Sequence, residues 1–99
     1  MSKIEVQKPE LKVTAKVPRL YNVLLLNDDF TPRQFVVEVL QTFFSMDDTA
    51  AQATMLIAHN RGAAACGVYT RELAETKVTQ ILDYVSNYEL PLRFTAEPA

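Results

Sequence analysis

Three small polar side chains at the end of an apolar run are the residues of this sequence best suited to bind a ligand. Asn27, Asp28 and Asp29 follow Leu24-Leu25-Leu26 and offer carbonyl and carboxylate oxygens. Such oxygens accept hydrogen bonds or coordinate cations. A ligand held there would therefore be a donor, an amine or a metal ion, and not a phosphate.

His59, the only histidine of the sequence, is a second candidate. A neutral imidazole keeps one lone pair, so His59 could join Asn27 and Asp28 in accepting from an ammonium group, which has three donors. A single histidine near the end of a helix is more often structural, since it contacts the last carbonyls of that helix. The residues alone leave both interpretations open.

Metal binding and catalysis fit these residues less well. The spacing of Asn27, Asp28, Asp29 and His59 matches no calcium loop and no zinc motif. No serine or cysteine lies in a strand-turn-helix elbow, and Cys66 falls within an expected strand. We therefore expect no metal, no cofactor and no catalytic residue; an acid–base enzyme that uses His59 and Asp28 is a distant alternative.

Composition and charge restrict the class of protein. The 99 residues, 48% of them hydrophobic, suffice for one domain with a modest core. Residues 1–17 hold four lysines and two glutamates, whereas the rest of the chain holds six basic and ten acidic residues. Because the basic residues after position 17 are scattered singly, we expect no nucleic-acid binding.

The single cysteine rules out an intramolecular disulfide and fits a reducing compartment. No apolar run approaches the roughly 20 residues that span a membrane. We expect a cytoplasmic monomer that does not contact membranes. Residues 1–17 have no sustained apolar period and no signal-peptide pattern, which predicts a flexible arm before a core domain at 18–99.

Hydrophobic spacing predicts the first half of the fold. Leu20–Leu26 is typical of a central strand. Thr31 and Pro32 then have the form of a helix start, with Thr31 as the N-cap of a helix over 32–44 and Phe30 packed on Phe35 as a hydrophobic staple. A second helix begins after Asp47 or Asp48 and ends at Gly62.

The second half of the sequence predicts a strand over 63–69 with a bulge at Gly67, a helix capped by Thr70, and a last strand over 92–95. The order is β-α-α-β-α-β. The simplest architecture with this order is an α+β two-layer sandwich, in which three helices pack on one face of a three-stranded antiparallel sheet.

Apolar residues near the acceptors suggest a pocket. Apolar side chains such as those of Val36, Met55 and Leu92 lie in a hydrophobic core more often than in a ligand pocket. If they instead surround a cavity beside Asn27, Asp28 and His59, the site would hold an α-amine at its mouth and one large apolar side chain inside. That is recognition of a protein's N-terminal residue.

Five segments together resemble the ClpS family over nearly all of residues 19–95. The most specific feature is Asn-Asp-Asp followed by an aromatic residue and Thr-Pro, with Met-x-x-x-His-x-x-Gly downstream. The segments are Tyr21–Pro32, Met55–Gly62, Cys66–Thr70, Glu72–Val78 and Pro91-Leu92.

The resemblance implies a non-catalytic adaptor. Such a protein binds substrates by a destabilising N-terminal residue (Phe, Tyr, Trp or Leu) and delivers them to the Clp AAA+ unfoldase and its peptidase. The implied roles are α-amine binding by Asn27, Asp28 and His59, a hydrophobic pocket of Val36, Met55, Ala58 and Leu92, and a rim that includes Asp29 and Thr31.

The resemblance also implies a docking surface for the N-terminal domain of the unfoldase. It maps onto Glu72 and Lys77 of the third helix, although an ordinary solvated helix face is the simpler interpretation. The N-terminal arm corresponds to an extension that engages the unfoldase during delivery.

One position departs from the family pattern. After Thr31-Pro32 the family often has a methionine that guards the pocket, whereas this sequence has Arg33. An arginine stem can cover the same apolar edge, but its head is charged. The preference among Leu, Phe, Tyr and Trp therefore stays open, and the alternative function is a structural interaction domain similar to the C-terminal domain of the ribosomal stalk.

Overall fold

Strand β1, Leu20–Leu26, lies at the centre of a three-stranded sheet in the computed structural model, which describes residues 18–99. It pairs antiparallel with β2, Ala63–Thr70, on one side and with β3, Arg93–Pro98, on the other. The predictions made for the arm at 1–17 lie outside the described residues.

Three helices complete the element order β-α-α-β-α-β. They are α1 at Arg33–Phe44, α2 at Asp48–Arg61 and α3 at Arg71–Ser86. The predicted α+β fold with a three-stranded antiparallel sheet is confirmed. None of the helices in residues 18–99 has the length and apolar character needed to cross a membrane.

The core lies between the sheet and the helices. Val23 and Leu25 alternate with more exposed residues along β1 and are almost completely buried, as expected of a strand with one covered face. The helices contribute their apolar positions to the same core, at Val36, Val37, Val39, Leu40, Ala51, Met55, Ala58, Ala74, Ile81 and Val85.

Two of the three predicted helix starts are confirmed. The Asp47 side chain accepts a hydrogen bond from the Ala50 N–H at 2.8 Å, and the Thr70 hydroxyl accepts one from the Leu73 N–H at 3.4 Å. Gly62 ends α2 with φ 94°, in the left-handed region that the absence of a Cβ permits.

The predicted start of α1 is wrong. The N-cap is Pro32, with no side-chain hydrogen bond, because the Thr31 hydroxyl donates to Asp28 instead. The predicted staple is also wrong: Phe30 is 82% exposed, whereas Phe35 packs on Tyr88, with the ring centroids 4.9 Å apart.

The predicted irregularity near Gly67 is present in the β1–β2 pairing. Val23 pairs with Gly67 and Leu24 with Ala65, which leaves Cys66 as an extra residue in β2. The Gly67 position is crowded, since an added Cβ would lie 2.6 Å from the Tyr69 hydroxyl oxygen. Glycine therefore lets the Tyr69 ring lie against the strand.

Candidate functional site

The chain turns sharply after β1 around the carboxylate of Asp28. Its Oδ1 accepts hydrogen bonds from the backbone N–H groups of Phe30 at 2.8 Å and Thr31 at 2.9 Å. Its Oδ2 accepts from the hydroxyl of Thr31 at 2.7 Å. An aspartate that closes a local turn in this way holds its own side chain in one orientation.

The end of α2 is attached to the same turn. The backbone N–H of Asn27 donates to the Gly62 carbonyl at 2.9 Å, and the N–H of Gly62 donates to the Ala58 carbonyl at 2.8 Å. Because His59 lies in the last turn of α2, these bonds bring the segment that carries it beside Asn27 and Asp28.

A cavity of about 220 Å³ opens at this junction. It brings together the ten residues predicted for the amine site, the pocket and the rim, and it is lined in addition by Leu25 and Leu26. The ten are Asn27, Asp28, Asp29, Thr31, Arg33, Val36, Met55, Ala58, His59 and Leu92.

The cavity has an apolar interior and a polar mouth. Val36 and Met55 are 7% exposed, and Ala58 and Leu92 are 3% exposed, so these four walls lie inside the protein. Asn27, Asp29, Arg33 and His59 are exposed to solvent. A cavity of roughly 150 Å³ is known to accommodate benzene, so this one has room for a phenyl ring.

The polar mouth offers mainly hydrogen-bond acceptors. Asp28 and Asp29 supply two carboxylates, Asn27 an amide oxygen and His59 a ring nitrogen, whereas Arg33 is the one cationic side chain in the lining. Such a group of acceptors suits a cationic donor. Within residues 18–99 no three His, Cys, Asp or Glu side chains lie close enough together to hold a metal ion.

Sequence reasoning missed two lining residues, Leu25 and Leu26. Leu25 is a core residue at 2% exposure, and Leu26 is the last residue of β1. The available signal was their place next to Asn27, because the residues that end a strand also form the floor of a site at its end.

Glu72 and Lys77, predicted to face the unfoldase, do not line this cavity. Glu72 is exposed on α3 beside Leu73 and Glu75, in a shallow groove. Lys77 is only half-buried, but its ammonium donates to the carbonyl of Phe43 near the end of α1. The Lys77 Nζ also lies 5.6 Å from the ring centroid of Phe44.

Cys66 does not line the cavity either. Burial raises the pKa of its thiol to about 12, and the thiol donates weakly to the carbonyl of Ala64 at 3.6 Å. A thiol of such high pKa is a poor nucleophile, because the thiolate is the reactive form.

Comparison with known proteins gives a consistent result. The sequence model of the family described as ATP-dependent Clp protease adaptor protein ClpS matches residues 16–95. The adapter protein ClpS 2 of Rhodopseudomonas palustris is 51% identical over 87% of this chain and 79% of its own length. ClpS of Hydrogenovibrio crunogenus is 47% identical over 95% of this chain and 86% of its own length.

The fold is also that of a solved relative. The structure of Agrobacterium tumefaciens ClpS2 bound to L-phenylalaninamide superposes with a TM-score of 0.81 at 43% sequence identity. The match covers 84% of this chain and 100% of the other. The turn at Asn27–Asp29, the histidine of α2 and the cavity between them are therefore part of a protein that belongs to the ClpS family of ATP-dependent Clp protease adaptors.

Proposed function

We propose that this protein is an adaptor that binds other proteins by a bulky hydrophobic N-terminal residue, Phe, Tyr, Trp or Leu, and delivers them to the Clp unfoldase and peptidase for degradation. The observation that carries the proposal is the cavity of about 220 Å³, with buried apolar walls and a mouth rich in acceptors. Its shape and chemistry suit the first residue of a polypeptide, which has both a side chain and a free α-amine.

The α-ammonium group is assigned to Asn27, Asp28 and His59. An ionised carboxylate has about four acceptor positions, and Asp28 uses three of them, two on Oδ1 and one on Oδ2. The remaining lone pair lies on Oδ2. The ammonium therefore donates to Asp28 Oδ2, to the side-chain oxygen of Asn27 and to a ring nitrogen of neutral His59.

The first side chain is assigned to the pocket formed by Val36, Met55, Ala58 and Leu92. Burial of one Phe or Leu side chain is worth roughly 1.5 to 3 kcal/mol, and each hydrogen bond to a charged group is also worth roughly 1.5 to 3 kcal/mol. Two or three such bonds together with the pocket reach the roughly 8 kcal/mol of micromolar binding.

The relative of known structure supports this assignment through its ligand. L-phenylalaninamide, bound by ClpS2 of Agrobacterium tumefaciens, is a phenylalanine with a free α-amine and an uncharged carboxamide in place of the next peptide bond. Its α-amine and its phenyl ring are the two groups that the mouth and the interior of the present cavity suit. Asp29 and Thr31 complete the rim on the β1 side.

The proposed partner on the protease side is the N-terminal domain of the Clp unfoldase. Its docking surface is assigned to α3, to Glu72 in the exposed groove and to Lys77, whose ammonium contacts the end of α1. Residues 1–17 are assigned to an arm that engages the unfoldase, and residues 18–99 to the binding domain. The proposed adaptor acts as a monomer in the cytoplasm, where a single thiol such as Cys66 stays reduced.

The proposal includes no chemical step on the substrate. The carboxylate of Asp28 accepts the hydrogen bonds of the turn and of the amine. The Cys66 thiol stays protonated, because burial raises its pKa to about 12. The N-terminal residue would therefore be released intact to the unfoldase. Amine-dependent binding of a peptide also distinguishes this function from that of a structural domain similar to the ribosomal stalk.

A reconstituted degradation assay tests delivery. Two fluorescent proteins that differ only in their first residue, Phe or Met, are incubated with a purified Clp unfoldase and peptidase, with and without this protein. The adaptor should accelerate loss of the Phe protein alone, and Asn27→Ala should remove the acceleration. Equal degradation of both proteins, or no effect of the added chain, would refute delivery.

A further inference from the structure

We propose that Arg33 gives the site a preference for an acidic side chain at the second residue of the bound N-terminus. This inference rests on the proposed function, since it assigns the next residue of the same substrate. It concerns selectivity at a position that the pocket itself does not contact.

Arg33 occupies the mouth of the cavity from the α1 side. It is the first residue of α1 and lines the cavity. Val36 lies three residues later, on the same face of the helix, and is buried in the cavity wall. Because side chains on a helix lean toward its N-terminus, Arg33 lies above Val36, at the rim.

The guanidinium of Arg33 is available to a ligand. Its side chain is exposed, and within residues 18–99 it forms neither a hydrogen bond nor an ion pair, whereas Arg71 pairs with Glu75 at 3.2 Å. The first turn of α1 contains no acidic residue that would offset the charge of Arg33. Its five donors can meet a carboxylate through two parallel hydrogen bonds.

The second residue of the substrate must lie close to the charged side chains of the rim. With the first side chain in the cavity and the α-amine at Asn27 and Asp28, the next Cα lies about 3.8 Å farther along the chain. A charge on its side chain is then within one Debye length, about 8 Å at physiological salt, of the rim.

Arg33 determines whether the site prefers an acidic or a basic second residue. Asp28 and Asp29 are the anions of the cavity lining, and the bound ammonium offsets one of them. Without Arg33 the occupied rim would keep one net negative charge and would favour a basic second residue. With Arg33 the rim is neutral overall, and it presents a guanidinium that has no partner among residues 18–99. An acidic second residue is favoured because its carboxylate can pair with this guanidinium.

The test uses three peptides that begin Phe-Glu, Phe-Gln and Phe-Lys and are otherwise identical, each with a free and an N-acetylated terminus. Fluorescence anisotropy is measured with the full chain and with Arg33→Met, Arg33→Lys and Arg19→Met. Arg19 is the matched control, because it precedes β1 and lies at the opposite end of that strand from Asn27.

The wild-type chain should bind Phe-Glu about 1.4- to 5-fold more tightly than Phe-Gln, and Phe-Lys most weakly, as expected of one exposed charge pair. Arg33→Met should make Phe-Lys the tightest of the three, whereas Arg33→Lys and Arg19→Met should keep the wild-type order. The differences should shrink at about 1 M salt, where the Debye length is about 3 Å.

The same order of the three peptides in the wild type and Arg33→Met would overturn the role of Arg33, and so would tighter binding of Phe-Lys by the wild type. The acetylated peptides separate this failure from that of the proposed function. If Phe-Gln binds and its acetylated copy does not, the amine site stands whatever the second residue does. If the two bind equally, the amine site fails and the inference on Arg33 fails with it.

Discussion

Among single residues, Asp28 combines an observed structural role with a proposed binding role. It accepts the N–H groups of Phe30 and Thr31 and the Thr31 hydroxyl, which shapes the turn after β1. Its remaining acceptor position, on Oδ2, is the one assigned to the α-amine. A substitution at this position therefore affects the turn and the ligand together, and the two effects have to be separated.

Asp28→Asn separates the two effects. An asparagine keeps an oxygen that can accept from both N–H groups, so the turn should persist, but the negative charge is lost. Loss of one charge-assisted hydrogen bond, worth roughly 1.5 to 3 kcal/mol, should weaken binding of a Phe peptide about 10- to 150-fold. Fluorescence anisotropy measures the affinity, and thermal unfolding of the same variant measures its stability.

Asp28→Ala is the matched comparison, because it removes the turn acceptors as well. Buried or partly buried donors left without a partner cost roughly 1 to 3 kcal/mol, so this variant should lose both affinity and stability. If Asp28→Asn kept the wild-type affinity, the carboxylate would not contact the amine.

The hydrogen bonds of Asp28 also show why sequence patterns predict some local contacts and miss others. Thr31 followed by Pro32 is typical of a helix start, and the pattern does not reveal that the Thr31 hydroxyl is already bonded to Asp28. The same limit applies to Phe30, which is apolar but 82% exposed. Local patterns state which bonds a side chain can form; competing partners a few residues away decide which one forms.

At the scale of elements, Gly62 joins α2 to the site. It has φ 94°, and its carbonyl accepts from the N–H of Asn27. A Cβ at this position would meet no heavy atom within 4 Å. The cost of Gly62→Ala is therefore backbone strain alone, and we expect about 1 kcal/mol lower free energy of unfolding in chemical denaturation.

Gly62→Asn is the control for this prediction. Asparagine adopts the left-handed conformation more readily than alanine does, so it should retain most of the lost stability. Equal destabilisation by both substitutions would mean that something other than φ penalises the side chain.

Lys77 connects α3 to the end of α1. Its ammonium donates to the Phe43 carbonyl and lies near the rings of Phe44 and Tyr69, with Nζ 5.6 and 5.9 Å from their centroids. Lys77→Met keeps the apolar stem and removes these contacts, so it should lower the free energy of unfolding by about 1 to 3 kcal/mol. Urea denaturation at constant pH measures the change.

Glu72→Gln is the counterpart on the same helix. Glu72 is exposed and forms no hydrogen bond with another residue in the range 18–99, so its substitution should change stability by less than about 0.5 kcal/mol. An unfoldase-binding defect of Glu72→Gln without loss of stability would support a docking role. If Lys77→Met were as stable as the wild type, its contacts with α1 would be energetically neutral, and its proposed docking role would be the simpler account.

The elements themselves were predicted with few errors because most of their boundaries have clear causes. Asp47 and Thr70 cap their helices, and Gly62 ends α2. The walls of the cavity were harder to predict, since Val36, Val37 and Val39 are all buried on α1 and only Val36 lines the cavity. Periodicity separates buried from exposed faces, but it does not show which buried residue borders a void.

At the scale of the whole molecule, the site lies where four elements meet. The end of β1, the start of α1, the end of α2 and the residue that precedes β3 all contribute to one cavity. This arrangement follows from an antiparallel sheet with β1 in the middle. The antiparallel sheet could be predicted from the element order and the small size of the chain, whereas the cavity was inferred from motif resemblance and needed three-dimensional packing.

The proposed function rests on the claim that the cavity binds an N-terminal residue through its free α-amine. Fluorescence anisotropy of one peptide that begins with Phe, compared with its N-acetylated copy, measures the contribution of that amine. The acetylated peptide has no ammonium group, so the loss of two or more charge-assisted hydrogen bonds should weaken binding by at least about 100-fold. Equal affinity for the two peptides would contradict the claim.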